Sequence, residues 1–431
     1  MSLSASLNKI KSGFTSSFWT ANIMELFERL AYYGQATILS IFLRDHLKFS
    51  EVEAGQLSSI FGGLIYLLPI FAGAIADKIG FRKAFSIAFS VLAAGYFLIG
   101  ASGMKIFSGA FSNFPLFWVL IIILIFTAMG GSFIKPSVLG TVALSSNYET
   151  KSLGYAIYYW LVNIGAAIGP LFAFLVRDNF GIEFVYLVSA ISCGLMFLTT
   201  LIFFKEPKGK NFKSSKSIAE IIKDLLLVLR NFKFISFLLI FALYWLIFWQ
   251  FFIVIPFYIN DFVSADSPIE LIISTGAWTI LFLQIPINRL TKKLSTRKAI
   301  LIGFMLAAIS WLFLYLMLPL GYQKMWNGIH LSNLIIVIGI FLFSVGEQTQ
   351  APRFYEYIAN LAPKGQEALF QGYAFLPIAI AWGLGGALGG YLYQTFAKNM
   401  SSPQYVFGIL FLIGAFAALL MFLYNYLTKS K

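Results

Sequence analysis

Five charged residues stand inside otherwise apolar stretches of this 431-residue chain: Glu25, Glu28, Arg29, Lys135 and Glu347. In a segment that crosses hydrocarbon, each such charge costs about 2.5–3.5 kcal/mol on insertion scales, which makes it a candidate for function. Glu25 and Glu28 are three apart and Glu25 and Arg29 four apart, so one helix face presents all three with Arg29 in reach of a carboxylate. Lys135 and Glu347 come from distant segments, and each needs a partner from elsewhere in the chain. Three acids against two bases balance only if one carboxyl is protonated, and a carboxyl out of water beside a like charge favours that form. Such a set can take up and release a proton. The competing reading is that the five charges tie helices together.

The elements that must hold these residues follow from composition. Hydrophobic residues make up 59% of the chain and charged residues 11%, far from the roughly 45–50% and 25% of a soluble domain. Uncharged runs such as 114–134 and 404–427 match the roughly 20 residues of a membrane helix, and they lack the alternation of a barrel strand. Apolar runs between polar breaks predict twelve spans, near 17–43, 54–76, 84–103, 115–139, 153–176, 184–204, 234–259, 269–288, 299–320, 332–351, 368–395 and 404–427. The opening MSLSASLNKIKSGF has no apolar stretch, so no cleavable signal is expected and the first span serves as the targeting signal. Cys193 is alone and reads as packing.

Net charge is +13, but the cations fall on alternate loops, which points to topology and not to nucleic acid. Lys9, Lys11, Lys78, Arg82, Lys83, the run from Lys205 to Lys233, Arg289 to Lys298, Lys429 and Lys431 form one set. By the positive-inside rule that set is cytoplasmic, which puts both termini inside and requires an even number of spans. The longest polar break predicts a cytoplasmic linker over 205–233, either an amphipathic interfacial helix or a plain basic connection, between halves at 1–204 and 234–431. DKIGFRKA (77–84) and KKLSTRKA (292–299) repeat one basic turn in each half, with Arg82 and Arg297 separated by 297 − 82 = 215 residues. Paired halves around a central cavity suit alternating access. The expected fold is therefore all-α, two six-helix bundles around that cavity.

ELFERLAYYG (25–34), FIKPSV (133–138), YAIYYWLVNIGAA (155–167) and VGEQTQAPRFYEYIANLAP (345–363) together resemble motifs of the proton-dependent oligopeptide transporter (POT/PTR) family. GAIADKIGFRK (73–83) is similar to the wider loop motif of the major facilitator superfamily. The resemblance implies the major facilitator fold and a role for each residue. Glu25, Glu28 and Arg29 would handle the proton, Lys135 would pair with them or with a substrate carboxylate, and Glu347 would meet a substrate amine. Tyr32, Tyr33, Tyr66, Asn163, Gln250 and Trp382 would line the substrate cavity. Gly73, Asp77, Arg82 and Lys83 would form a cytoplasmic latch.

Two positions depart from the family pattern: Ala36 stands where bacterial members carry an arginine, and Trp249 where they carry an acid beside Gln250. The leading reading is a proton-coupled importer of di- or tripeptides in a bacterial inner membrane. The two neutral positions keep open a different solute, such as nitrate or an organic anion. The aromatic content, 18%, keeps open a proton-driven exporter of amphipathic drugs, and a non-transporting membrane sensor is the fourth reading. No enzyme activity, metal site or cofactor beyond the coupling proton is expected; His46 and His330 show no metal spacing and no phosphate loop is present. The expected partners are a small-molecule substrate and the lipid bilayer, with no nucleic acid, and the expected state is a monomer.

Overall fold

The computed structural model describes residues 13–147, 149–207, 219–220, 223, 230–361, 370 and 373–428. The linker reading over 205–233 falls mostly outside them. Hydrocarbon offers no water to backbone N–H and C=O groups, so apolar runs fold as helix. In chain order these are α1 (Ser16–Ala36), α2 (Glu51–Leu67), α3 (Pro69–Ile79), α4 (Phe81–Gly103), α5 (Leu116–Ser132), α6 (Ile134–Ser145), α7 (Lys151–Phe180) and α8 (Ile182–Ile202). They continue as α9 (Phe232–Trp249), α10 (Val254–Phe262), α11 (Ile269–Thr291), α12 (Thr296–Gly321), α13 (Leu331–Leu361), α14 (Leu376–Leu392) and α15 (Gln404–Leu427).

Ten helical stretches among the described residues are long and apolar enough to cross a membrane, and α2 with α3 makes an eleventh, bent by 47°. The bend falls where Pro69 opens α3, because proline has no N–H to continue the ladder. Helix α1, at 21 residues, is also long enough for about 30 Å of hydrocarbon; Glu25, Glu28 and Arg29 set it apart. Adding α1 and the bent pair to the ten accounts for the twelve spans read from the sequence. The chain is a multi-pass integral membrane protein.

By contacts the chain forms two compact units: Met1–Gln35 with Leu67–Ile221, and Ala36–Tyr66 with Ile222–Lys431. A cut by order along the chain would leave residues 36–66 in the first half, whereas by packing they belong to the second unit. Both crossing points are helix interruptions, one at the end of α1 and one at the Leu68–Pro69 bend.

In the first unit, Gly80 (φ 92°) joins α3 to α4 and Gly181 (φ 117°) joins α7 to α8, each as a single connecting residue. Only glycine takes that backbone without strain. Helix α7 lies close against α1: a Cβ at Gly169 would stand 2.6 Å from the Leu30 carbonyl and 3.2 Å from the Gly34 nitrogen. Small residues let membrane helices approach this closely.

In the second unit the most apolar window of the span 232–262 is 72% buried, against 33% for those of Ile269–Thr291 and Gln404–Leu427, so α9 and α10 form the core and α11 and α15 lie at its periphery. Rings fill that core: Phe241 meets Phe354 at 4.3 Å between centroids and Phe251 stacks on Trp311 at 4.6 Å. The glycine-rich α14 packs on α2, where a Cβ at Gly63 would stand 2.9 Å from Gly383 Cα and one at Gly55 would collide with the Gly386 carbonyl. Helix α13 runs unbroken through Pro352 to Leu361. The one sheet among the described residues is a hairpin, Met325–Trp326 paired with Ile329–His330, turning at Asn327 and Gly328, both with positive φ, as an Asn-Gly turn of this length requires.

Candidate functional site

The first unit gathers four of the five intramembrane charges. Glu25, Glu28 and Arg29 are 0%, 0% and 3% exposed and share one face of α1, as the spacing predicts. Arg29 forms an ion pair with Glu28 and a second with Glu25 at 3.4 Å. The Tyr158 hydroxyl of α7 donates to Glu25 at 3.4 Å. The Arg29 guanidinium lies 4.7 Å from the Tyr32 ring centre, and Tyr33 packs edge-on to Tyr32 at 5.1 Å. Lys135, half-buried, sits within electrostatic range of Glu25, Glu28 and Arg29. The α5–α6 break at Phe133, two residues before the Lys135–Pro136 pair, positions it. Asn163 is on α7, and its amide donates to the Tyr159 carbonyl at 2.8 Å.

Two acids and two bases balance within this unit, so the surplus carboxyl of the sequence count is Glu347. It lies on α13 in the second unit, half-buried. Its charge acts on Tyr244 and Tyr355, and among the described residues of its unit it makes no ion pair. A guanidinium between two carboxylates has a simple chemical use: protonating either acid releases the arginine from it, while leaving both ionised holds all three together.

Tyr66, Gln250 and Trp382 also fall in the second unit. Trp382 stacks on Trp249 at 3.6 Å between ring centroids, 19° from parallel, and Tyr66 lies 6.0 Å from each. Gly62 makes room for this, since a Cβ there would fall within the Trp382 indole. Gln250 opens the break between α9 and α10, and its amide donates to the Leu246 carbonyl at 3.0 Å and the Gly385 carbonyl at 2.9 Å. Gln250 thus satisfies backbone groups and ties α9 to α14.

The latch residues cluster at the α3–α4 turn. Asp77, Arg82 and Lys83 are exposed, and a Cβ at Gly73 would touch Pro136 at 3.4 Å. Arg82 donates to the Leu201 carbonyl at 2.5 Å, and the Glu206 carboxylate accepts from the Phe81 and Arg82 nitrogens at 2.8 Å each. Arg82 therefore works inside its own unit, binding α4 to the end of α8.

Sequence reasoning missed an ionic cluster in the second unit. Arg44, 5% exposed, donates to Asp261 at 2.9 and 3.0 Å and to Asp45 at 2.7 and 2.9 Å. Its guanidinium rests 4.4 Å from the Phe257 ring centre. Lys398 pairs with Asp261 at 2.9 Å and approaches Glu51 at 3.8 Å, and the Tyr393 hydroxyl donates to Asp261 at 2.8 Å. Burial and the two carboxylates act on Arg44 in opposite senses, and the carboxylates prevail, raising its affinity for its proton. The available signal was that Arg44 follows the first apolar run without a turn residue between. Glu270 is also fully buried, in the first turn of α11, where the helix dipole favours a negative charge.

The family model of the Major Facilitator Superfamily matches residues 22–265 and 260–431. Dipeptide and tripeptide permease B of Aliivibrio fischeri (strain MJ11) is 28% identical over 181 residues, 41% of this chain and 34% of that relative. The alignments to peptide permeases thus span about a third to two-fifths of those proteins' length. Multidrug resistance protein MdtH of Escherichia coli O9:H4 (strain HS) is 23% identical over 393 residues, covering 90% of this chain and 89% of the relative. Among solved structures, a POT family transporter in complex with 5-aminolevulinic acid matches with a TM-score of 0.74 at 19% identity, covering 96% of each chain.

Proposed function

The chain belongs to the Major Facilitator Superfamily, and from that premise we propose that it imports di- or tripeptides together with protons by alternating access. Its place would be a bacterial inner membrane, with both termini cytoplasmic. The observation that carries this reading is the buried Glu25–Glu28–Arg29 group with Lys135 beside it, in a superfamily of transporters. The motif resemblance to the oligopeptide transporter branch, the peptide permeases among the relatives and the likeness to POT structures support the same branch. In this reading a proton on Glu25 or Glu28 frees Arg29, a substrate carboxylate meets Lys135, and the substrate amine neutralises Glu347. One proton moving inward through 100 mV releases about 2.3 kcal/mol, enough for roughly fifty-fold accumulation.

The test is uptake of a labelled alanyl dipeptide into proteoliposomes under an imposed inward pH gradient, with wild type beside Glu347→Ala. Gradient-driven uptake by wild type and its loss in the variant support the proposal; absence of uptake in both removes it. Two observations favour neighbouring readings. Ala36 and Trp249 are both neutral and buried, which suits a nitrate or organic-anion substrate, and competition by nitrate in the same assay would reveal it. The alignment to MdtH over 90% of the chain suits drug export, which would appear as proton release from the vesicle lumen when a hydrophobic cation enters.

A further inference from the structure

At the end of the second unit remote from Arg297, a cavity of about 280 Å³ lies between three helices. Tyr258 and Phe262 come from α10, Leu318 and Pro319 from the last turn of α12, and Gln404 and Phe407 from the start of α15. Tyr322, Ser401 and Pro403 complete its rim. None of these residues is charged. A zwitterionic solute entering here would lose its hydration without an ionic partner, at several kcal/mol per charge, so the cavity is no subsite for a peptide. Its volume, at the small end of the range for ligand pockets, suits one slender chain.

Position decides what that chain is. Pro319 lines the cavity and is itself exposed, as are Leu316 and Leu320 beside it on α12 and Tyr405 and Leu412 on α15. In a membrane-spanning chain these faces are covered by lipid tails, so the cavity opens onto hydrocarbon. It also lies where α10 and α12 end and α15 begins, the level at which the ester groups of lipids sit. We propose that this cavity binds the ester-proximal part of one acyl chain of a membrane lipid. The methylenes pack on Phe262, Leu318 and Phe407, and an ester oxygen accepts from the Tyr322 hydroxyl or the Gln404 amide.

The full-length protein in nanodiscs of phosphatidylglycerol carrying a diazirine near the ester end of one chain tests this. After irradiation, mass spectrometry should find adducts in 258–262 and 404–407 at least fivefold above those around Leu412, which faces lipid on the same helix. Leu318→Trp fills the cavity and should bring the excess down to the Leu412 level; if that variant does not fold, Gln404→Trp blocks the cavity from its rim with the same expectation. Equal labelling at the cavity and at Leu412 overturns the proposal. So does protection of the cavity by a soluble dipeptide, which would make it part of an aqueous path.

Discussion

Arg82 and Arg297 occupy the same position in two separate units: each is the second residue of its helix, and each donates to carbonyls at the C-terminal end of another helix of its own unit, α8 for Arg82 and α15 for Arg297. Arg82 reaches the Leu201 oxygen, and Arg297 reaches those of Asn425 and Thr428 at 3.1 and 3.0 Å. The internal repeat thus marks an arginine placed against the negative end of a helix, where a cation is favourable. Arg297 is the less exposed of the two and also lies over the Tyr357 ring at 5.7 Å. Arg297→Gln should lower stability by about 1.5–3 kcal/mol, the range for hydrogen bonds from charged groups. Arg297→Lys should recover only part, because an ammonium cannot serve two carbonyls in the guanidinium's fixed fork. Thermal unfolding midpoints in detergent check both.

Removing one partner of the first-unit group exposes its energetics. Arg29→Leu leaves Glu25 and Glu28 buried side by side and should cost about 3–5 kcal/mol, read as a drop in unfolding midpoint. Glu28→Gln keeps the shape and removes one charge, so it should be far milder. In uptake assays it should reduce gradient-driven accumulation by tenfold or more while preserving solute exchange between equal pools. If Glu28→Gln accumulates substrate like wild type, Glu28 does not carry the coupling proton.

The Arg44 cluster should resist salt. Exposed pairs are screened within about 10 Å at 0.1 M ionic strength, buried ones much less, and Arg44 is 5% exposed. Arg44→Met and Asp261→Leu should each destabilise by several kcal/mol, and the double variant by less than the sum of the two. A double-mutant cycle at 0.05 and 0.5 M salt with nearly the same coupling energy is the expected outcome.

Gly62 and Trp382 offer a steric test. Gly62→Ala places a methyl group where the indole lies, forcing Trp382 off Trp249 at a cost of about 1–3 kcal/mol. Adding Trp382→Ala should relieve that clash, so the second change should be less harmful in the Gly62→Ala background than alone. Strict additivity of the two unfolding shifts would contradict the packing described.

The fold was legible because hydrocarbon allows so few structures: an uncharged run of twenty residues has one outcome. Glu25, Glu28 and Arg29 were legible for the same reason, as charges where apolar residues are expected, and their spacing placed them on one face. Arg44 and Asp261 were not, because both stand beside the ends of spans, where charge is ordinary, and only tertiary packing brings them together. The stacking of Trp249 on Trp382 was not legible, because among so many aromatics nothing in the sequence marks which two rings meet. The bend at Leu68–Pro69 was hidden inside one continuous apolar run.

The membership of residues 36–66 in the second unit bears on attempts to split the gene. A fragment beginning at residue 234 would carry Asp261 and Lys398 but not Arg44, Glu51 or the glycines of α2 on which α14 rests. Its α14 would present a bare stripe, and its acids would lack their guanidinium. Co-expressed fragments 1–233 and 234–431 should therefore associate through residues 36–66, which the first fragment supplies and the second needs.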